Sequence, residues 1–200
     1  YTRMMRSGLL SSQKQEKALE TVVRNATSLT QIVEDVLDVS RIISGKVRMN
    51  IQVVQLPEVV REALDAVRPA AEVKGVHIET FVAPDATVVS GDPERLQQVM
   101  WNLLSNAVKF TGSGGRIEVR VARVDTHVHV TVRDTGIGIP SDFLPHVFER
   151  FRQADAGFNR EHGGLGLDLA ITRHLVELQG GLISATSEGR GKGATFRIEL

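Results

Sequence analysis

A long segment without helix breakers is the feature that most constrains how this chain can fold. Between Ser12 and Ser44 the sequence contains neither glycine nor proline, the two residues that most often interrupt helices. Apolar or small residues recur at alternating spacings of three and four, at Leu19, Val22, Ala26, Leu29, Val33, Val36 and Ser40. This spacing places them along one narrow stripe, as in a coiled coil or a four-helix bundle. An amphipathic helix packed on its own domain is the alternative that the pattern leaves open.

The sequence pattern changes after Gly45. From there, short runs of alternating apolar and polar residues, typical of strands, are interspersed with segments of helical periodicity. The predicted strands are 47–53, 76–79, 117–124, 128–132, 182–186 and 194–200, and the predicted helices are 56–74, 93–110 and 167–178. The run Asp92-Pro93-Glu94 has the cap, the N1 proline and the first-turn acid of a helix start. We therefore predict two domains: an incomplete helical hairpin over residues 1–45, and an α/β domain over residues 46–200.

The net charge and the absence of cysteine limit the partners that suit this chain. It has 24 basic and 24 acidic residues, so its overall field attracts neither nucleic acid nor an anionic membrane. The lack of cysteine excludes disulfides and thiolate metal sites, and it fits a reducing compartment as well as some secreted proteins. No apolar run approaches the roughly 20 residues needed to span a bilayer. We expect a cytoplasmic location, no membrane contact by this segment, and only a local site for any polyanion.

Two asparagines and a lysine share one face of the predicted helix 93–110. Asn102 and Asn106 are one turn apart, and Lys109 and Phe110 follow one turn later. An asparagine carbonyl is a suitable ligand for a hard cation such as Mg²⁺, and a lysine adds a positive charge for phosphates. Solvated or capping side chains are the alternative for each residue taken alone.

Two glycine-containing segments have features of a binding site. The first, Asp134-Thr-Gly-Ile-Gly-Ile139, directly follows a predicted strand, and its carboxylate can accept the amino hydrogens of a purine. The second, Gly163-Gly164-Leu-Gly166-Leu167, opens a predicted helix, whose free amides attract phosphate. Each could alternatively be a plain turn or a helix-entry loop.

The order of these motifs resembles that of the sensor histidine kinases. An asparagine helix, DTGIGI after a strand, the segment PHVFERF and a GGLGL loop are similar to the N, G1, F and G2 boxes of that family. The run Gly193-Ala-Thr-Phe196 is similar to the closing strand of the family. The run Asp35 to Arg41, followed by Ser44-Gly45-Lys46, resembles the end of its second dimerisation helix.

The resemblance implies a fold, a reaction and partners. The fold is an α/β (α+β) two-layer sandwich, with helices on one face of a mixed sheet in the Bergerat arrangement, behind a truncated helical dimerisation hairpin. The reaction is transfer of the γ-phosphate of ATP, bound with Mg²⁺, to a protein histidine. The implied partners are a second copy, through the hairpin, and the receiver domain of a response regulator.

The resemblance also assigns roles to individual residues. Asp134 would bind the adenine amino group, Asn106 would bind Mg²⁺, and Asn102 and Lys109 would contact the phosphates. The remaining residues would surround the base, or cradle the triphosphate with their amides: Phe110, Gly136, Gly138, Ile139 and Thr195 for the base, and Gly164, Leu165, Gly166 and Leu167 for the triphosphate.

A lid over residues 143–162 is also implied by the resemblance. Phe148 and Phe151 would fold onto the core as its latch. Either Arg150 or Arg152 would reach the phosphates.

The chain departs from the family pattern in two places. None of its six histidines lies in the acceptor motif, in which an acidic residue follows the histidine. Since Tyr1 to Met5 resemble the sequence after that motif, we expect the acceptor to precede Tyr1 and this chain to lack autophosphorylation. Asp168 replaces the last glycine of the G2 box, and we expect it to weaken the binding of ATP more than that of adenosine.

Two other functions are weighed against histidine phosphorylation. A non-catalytic docking module is favoured by Asp168, but Asn106, Lys109 and Asp134 argue against it. A gyrase-like ATPase would carry a water-activating glutamate four residues before the magnesium asparagine. Asn102 occupies that position and cannot act as a base.

Overall fold

The computed structural model describes residues 12–45, 47–85, 88–154 and 165–200. The backbone divides into two compact units at the Lys46–Val47 bond. Among the helices in these ranges, none combines the length and the apolar character needed to cross a bilayer.

The described part of the first unit contains a long helix, α1, which spans Ser12–Ile43. This confirms the helix predicted from the absence of glycine and proline. Several large apolar side chains of α1 are at least half exposed, namely Leu19, Val23, Leu29, Val33, Val36 and Leu37. The predicted stripe is therefore largely accessible, and its role in dimerisation stays a prediction.

The second unit consists of helices and strands that alternate along the chain. Its α-helices are α2 (Leu56–Lys74), α3 (Pro93–Phe110) and α4 (Asp168–Glu177), and a 3₁₀ turn lies at Leu144–His146. Its strands are β1 (Gln52–Gln55), β2 (His77–Val82), β3 (Val88–Gly91), β4 (Arg116–Val124), β5 (His127–Asp134), β6 (Leu182–Thr186) and β7 (Thr195–Glu199).

Five of these strands form a mixed sheet in the order β2-β4-β5-β7-β6. Strands β2 and β4 are parallel, and the other neighbouring pairs are antiparallel. Strands β1 and β3 form a separate antiparallel ribbon. Helices packed on a mixed sheet confirm the predicted fold class.

The core lies between one face of the sheet and helices α2, α3 and α4. Side chains alternate between the two faces of a strand, and the register aligns Val119, Val132 and Phe196 in one buried row. The helices contribute fully buried residues to the same core, including Val60, Leu96, Leu103, Leu104, Ile171 and Leu175. The opposite face of the sheet is polar and carries Glu118, Arg120, Arg133 and Arg197. This one-sided burial fixes which face of each strand can contribute to a site.

Both ends of α3 are held by side chains from neighbouring segments. At its start, Asp92 Oδ1 accepts hydrogen bonds from the amides of Glu94 at 3.1 Å and Arg95 at 3.2 Å. Asp92 Oδ2 also accepts the amide of Asn50 at 2.7 Å. At its end, Lys74 Nζ donates to the carbonyls of Val108 at 2.8 Å and Lys109 at 2.7 Å. The helix that carries Asn106 and Lys109 is therefore fixed at both termini.

The sequence-based assignment differs from the structure in the region of β1 and β3. The pattern predicts a strand over 47–53 with Val53 on the inner side, but β1 begins at Gln52, Val53 is 75% exposed and Val54 is buried. The pattern also fails to predict β3. Both strands belong to a short ribbon whose pairing joins residues far apart in the sequence.

The cap of α3 can be tested by replacing Asp92 with alanine. This change leaves three backbone amides without their acceptor at a buried position, so we expect a loss of about 2 kcal/mol or more in unfolding free energy. Urea denaturation measures this loss. Glu94→Ala is the control, because it removes an exposed acid from the same helical turn and should cost only a few tenths of a kcal/mol. Equal effects of the two changes would contradict the role assigned to Asp92.

Candidate functional site

A cavity of about 410 Å³ opens in the second unit, which is within the range of small-molecule sites. Its lining comes from the C-terminal half of α3, the loop after β5, the start of α4 and the segment before β7. Most of the lining is apolar. Among the residues that the structure describes, the charged groups in this lining are Lys109, Asp134, Arg152, Asp168 and Arg190.

Asn106 and Lys109 line the cavity as a pair from the last turns of α3. The side-chain amide of Asn106 has no hydrogen-bond partner among the described residues. Its oxygen therefore remains available to a ligand. A hard divalent cation prefers such an oxygen, so the residue fits a magnesium ligand.

Asn102 lies outside the cavity lining, one turn earlier on α3. It is only 4% exposed, and its Nδ2 donates to the Asp168 carbonyl at 3.3 Å and to Thr172 Oγ1 at 3.1 Å. Thr172 Oγ1 in turn donates to the same carbonyl at 2.7 Å. In this structure Asn102 joins α3 to the first turn of α4.

Lys109 occupies a half-buried position in the cavity wall. Its Nζ lies 5.1 Å from the centre of the Phe110 ring, which also lines the cavity. Burial lowers the pKa of Lys109, and the negative charge of Asp168 acts in the opposite direction. Lys109 and Asp168 therefore interact electrostatically across the cavity wall.

Asp134 is the last residue of β5, and its carboxylate is buried beside the cavity. Oδ1 accepts hydrogen bonds from the amides of Gly136 at 2.8 Å and Ala194 at 3.3 Å. Burial raises the pKa of Asp134, and these two hydrogen bonds oppose the increase. Oδ2 has no partner within the described ranges, yet it is not completely buried. This oxygen is an acceptor that a ligand in the cavity can use.

The two glycines after Asp134 allow backbone segments to approach each other. A Cβ on Gly136 would collide with the carbonyl of Phe110, and one on Gly138 would collide with the carbonyl of Gly189. Gly138 also has a φ of +70°, which disfavours any side chain. Gly138 and Ile139 line the cavity, whereas Gly136 lies behind it. The close approach seen in the structure is thus between parts of the chain itself.

The other predicted residues lie at or near the cavity in different ways. Gly166 lines it, Leu167 is completely buried, Leu165 is half-buried outside the lining, and Gly164 lies outside the described residues. On β7 the lining residue is Phe196, and Ala194 just before the strand also contributes. Thr195 faces the other side of the strand, in register with Arg133.

Several lining residues were not predicted from the sequence as part of the site, notably Leu169, Arg190 and Phe196. Arg190 belongs to a glycine-rich turn that the sequence identifies only as a connection between strands. The Gly191 amide donates to the Ile137 carbonyl at 2.6 Å, which brings this turn to the cavity. Such a contact between distant segments has no signal in the local sequence pattern. For Phe196, the alternation along β7 is a signal that could have identified it.

The described part of the predicted lid, up to Ala154, answers two questions left by the sequence. Phe148 meets Phe196 edge to face at 6.3 Å, which confirms its packing on the core. The same prediction is wrong for Phe151, which is 67% exposed. Of the two arginines, Arg152 lines the cavity, and its Nε donates to Glu149 Oε2 at 3.0 Å. Arg150 is exposed.

The comparisons with known proteins agree with this geometry. Residues 91–200 match the family described as histidine kinase-, DNA gyrase B- and HSP90-like ATPase. The chain is 39% identical over 194 residues to the sensory/regulatory protein RpfC of Xanthomonas campestris, covering 94% of this chain and 26% of RpfC. It is 37% identical over 208 residues to the signal transduction histidine-protein kinase BarA of Escherichia coli, covering 100% of this chain and 22% of BarA.

A solved structure extends the similarity to the fold. Full-length ShkA in complex with AMPPNP superposes with a TM-score of 0.78 at 30% sequence identity, and the match covers 96% of this chain and 39% of ShkA. The chain spans about a quarter of the length of the curated relatives named above. The match over residues 91–200 covers more than half of the sequence. The chain therefore belongs to the histidine kinase-, DNA gyrase B- and HSP90-like ATPase family, and its relatives within that family are sensor histidine kinases.

Proposed function

We propose that the second unit binds ATP with Mg²⁺ and transfers the γ-phosphate to a histidine of a dimerisation domain. The observation that carries this proposal is the cavity itself, which combines an available carboxylate oxygen on Asp134 with a lysine and an asparagine amide on one helix. The carboxylate oxygen can accept a hydrogen bond from the amino group of a purine base. The lysine and the asparagine amide suit phosphates bound with a hard cation.

Asp134 supplies recognition of the base. Its Oδ1 is occupied by two backbone amides, so Oδ2 accepts the adenine amino group. The two backbone hydrogen bonds also fix the orientation of the carboxylate. Because the acceptor is already ordered, it loses little entropy when the ligand binds. Phe110 and Phe196 contribute apolar surface for the ring.

Asn106, Lys109 and Arg152 act on the phosphates. The amide oxygen of Asn106 holds the magnesium ion, which neutralises phosphate charge and withdraws electron density from phosphorus when bound. The half-buried ammonium of Lys109 and the guanidinium of Arg152 add positive charge. The partial burial of Lys109 strengthens its interaction relative to that of a fully exposed cation.

Transfer to histidine is favoured over hydrolysis by the position of Asn102. This residue stands where a water-activating base is expected in the hydrolytic relatives, but its amide donates one buried and one partly buried hydrogen bond and accepts no proton. The nucleophile is then the imidazole nitrogen of the acceptor histidine. It forms a bond to the γ-phosphorus as the bond to the bridging oxygen breaks, and ADP leaves.

The chain's place in a signalling system follows from the same proposal. The exposed stripe of α1 contributes to a homodimer, and the phosphohistidine passes its phosphate to the receiver domain of a response regulator in the cytoplasm. A non-catalytic docking module remains the second candidate, because Asp168 places a negative charge in the cavity. Absence of nucleotide binding by the folded chain would favour that candidate.

Recognition of adenine can be tested with Asp134→Asn. The new amide keeps an acceptor for the backbone but presents a donor to the adenine amino group, so we expect a loss of about 1.5–3 kcal/mol in binding free energy for adenosine and ATP alike. Calorimetric titration measures both ligands. Asp142→Asn is the matched control, because Asp142 is exposed and lies outside the lining. Unchanged affinity in Asp134→Asn would refute the assignment.

Substitutions of Asn106 and Asn102 should affect different quantities, the first ligand binding and the second stability. Asn106→Ala should remove the increase in ATP affinity that magnesium causes, while the unfolding free energy changes by less than about 0.5 kcal/mol. Asn102→Ala should instead cost about 1–3 kcal/mol in unfolding free energy, because one buried and one partly buried hydrogen bond are lost. Binding titrations with and without magnesium, together with thermal denaturation, measure both quantities. A magnesium effect that survives in Asn106→Ala would exclude it as the ligand.

Phosphotransfer can be tested with labelled ATP. Alone, the chain should acquire no acid-labile label, because none of its histidines lies in an acceptor motif. With a complete dimerisation hairpin supplied in trans, the label should appear on the hairpin, and Asn106→Ala should abolish it. Label on the chain alone would contradict the first expectation, and no label on the hairpin would contradict the second.

A further inference from the structure

Asp168 is held in the cavity wall by its own backbone. Its carbonyl accepts hydrogen bonds from Asn102 at 3.3 Å and from Thr172 at 2.7 Å, so the first turn of α4 is fixed against α3. The side chain lines the cavity beside Asn106 and Lys109. These contacts fix the backbone from which the Asp168 carboxylate extends at the cavity wall.

Lys109 and Asp168 bring opposite charges to the same wall. Lys109 is half-buried, where an ammonium group is incompletely solvated, and the field of Asp168 acts on it. A nearby carboxylate therefore stabilises the lysine charge when no ligand is bound. Phosphates that enter the cavity compete with Asp168 for the same ammonium group, and they are repelled by its carboxylate.

We propose that Asp168 is a specificity-determining residue that acts as the internal counter-ion of Lys109 and makes nucleotide binding depend strongly on a divalent cation. The inference rests on the proposed function, since it concerns phosphates in the same cavity. It goes further because it states that the site favours ATP bound to a divalent cation over metal-free ATP.

The physical reason is that repulsion grows with the charge of the ligand. A bound divalent cation cancels much of the negative charge of a triphosphate, so the magnesium complex meets less repulsion from Asp168 than metal-free ATP does. Adenosine has no phosphate and meets none. The carboxylate therefore disfavours metal-free ATP most, magnesium-bound ATP less, and adenosine not at all.

The test compares Asp168→Asn with the wild-type chain in three titrations: ATP with magnesium, ATP with a chelator, and adenosine. The asparagine keeps the size of the side chain and its place at the helix start. We expect metal-free ATP to bind about tenfold more tightly in Asp168→Asn, magnesium-bound ATP to gain less, and adenosine to be unchanged. Asp142→Asn should change none of the three affinities.

If Lys109 interacts with Asp168 in the empty site and with phosphate in the complex, substitutions of Lys109 and Asp168 should have coupled effects on ATP affinity. Lys109→Met should weaken ATP binding more in the Asp168→Asn background than in the wild type, because in the wild type part of the lysine's attraction for phosphate is offset by losing Asp168. Independent charges that do not exchange would give equal losses in both backgrounds, which would refute the role of counter-ion.

The outcomes separate this inference from the proposed function. If wild-type and variant chains are folded and neither binds any adenine compound, both proposals fail. If both bind ATP with the same dependence on magnesium, only the inference fails. Weaker binding of magnesium-bound ATP in Asp168→Asn would also overturn it, since Asp168 would then act as a ligand of the cation. Binding of metal-free ATP by the variant and not by the wild type, with magnesium-bound ATP bound by both, would support it.

Discussion

The hydrogen bonds accepted by Asp134 hold together the segments on which the cavity depends. One carboxylate oxygen binds an amide in the loop after β5 and another just before β7. The Asp134 amide also donates to the Ala194 carbonyl at 2.9 Å. Burial makes the ionised carboxylate costly, and these donors offset that cost. Since the same carboxylate keeps its second oxygen for a ligand, one side chain contributes to both the fold and the site.

Helix boundaries were predictable where local chemistry determines them. The sequence predicts a helix over 56–74, and α2 has those bounds. Pro57 suits the first turn, and Gly75 ends the helix with a φ of 70° that favours glycine. The ribbon of β1 and β3 was not predictable in the same way. Val53 and Val54 are both apolar, so alternation alone does not show which of them faces the core.

The sequence predicted several residues of the site but not the contacts that these residues make. Asn106, Lys109 and Asp134 all line the cavity. The sequence does not show that Asn102, one turn from Asn106, is committed to Thr172 on another helix. Nor does it show that Gly136 and Gly138 make room for backbone carbonyls. These features depend on packing between segments that are distant in the sequence. The side of β7 that faces the cavity follows from alternation, since Phe196 and Ile198 are buried and alternate with Thr195 and Arg197.

The contact of Lys74 with the end of α3 has a consequence for how this domain tolerates sequence change. Lys74 lies outside the cavity, yet it donates to the backbone carbonyl of Lys109, whose side chain lies inside it. Burial lowers the pKa of Lys74, so the fold keeps this ammonium group at some cost in solvation. The position of Lys109 in the cavity wall therefore depends on a residue that does not line the cavity. A substitution at position 74 would remove a contact that supports the cavity wall, although Lys74 is not one of the lining residues.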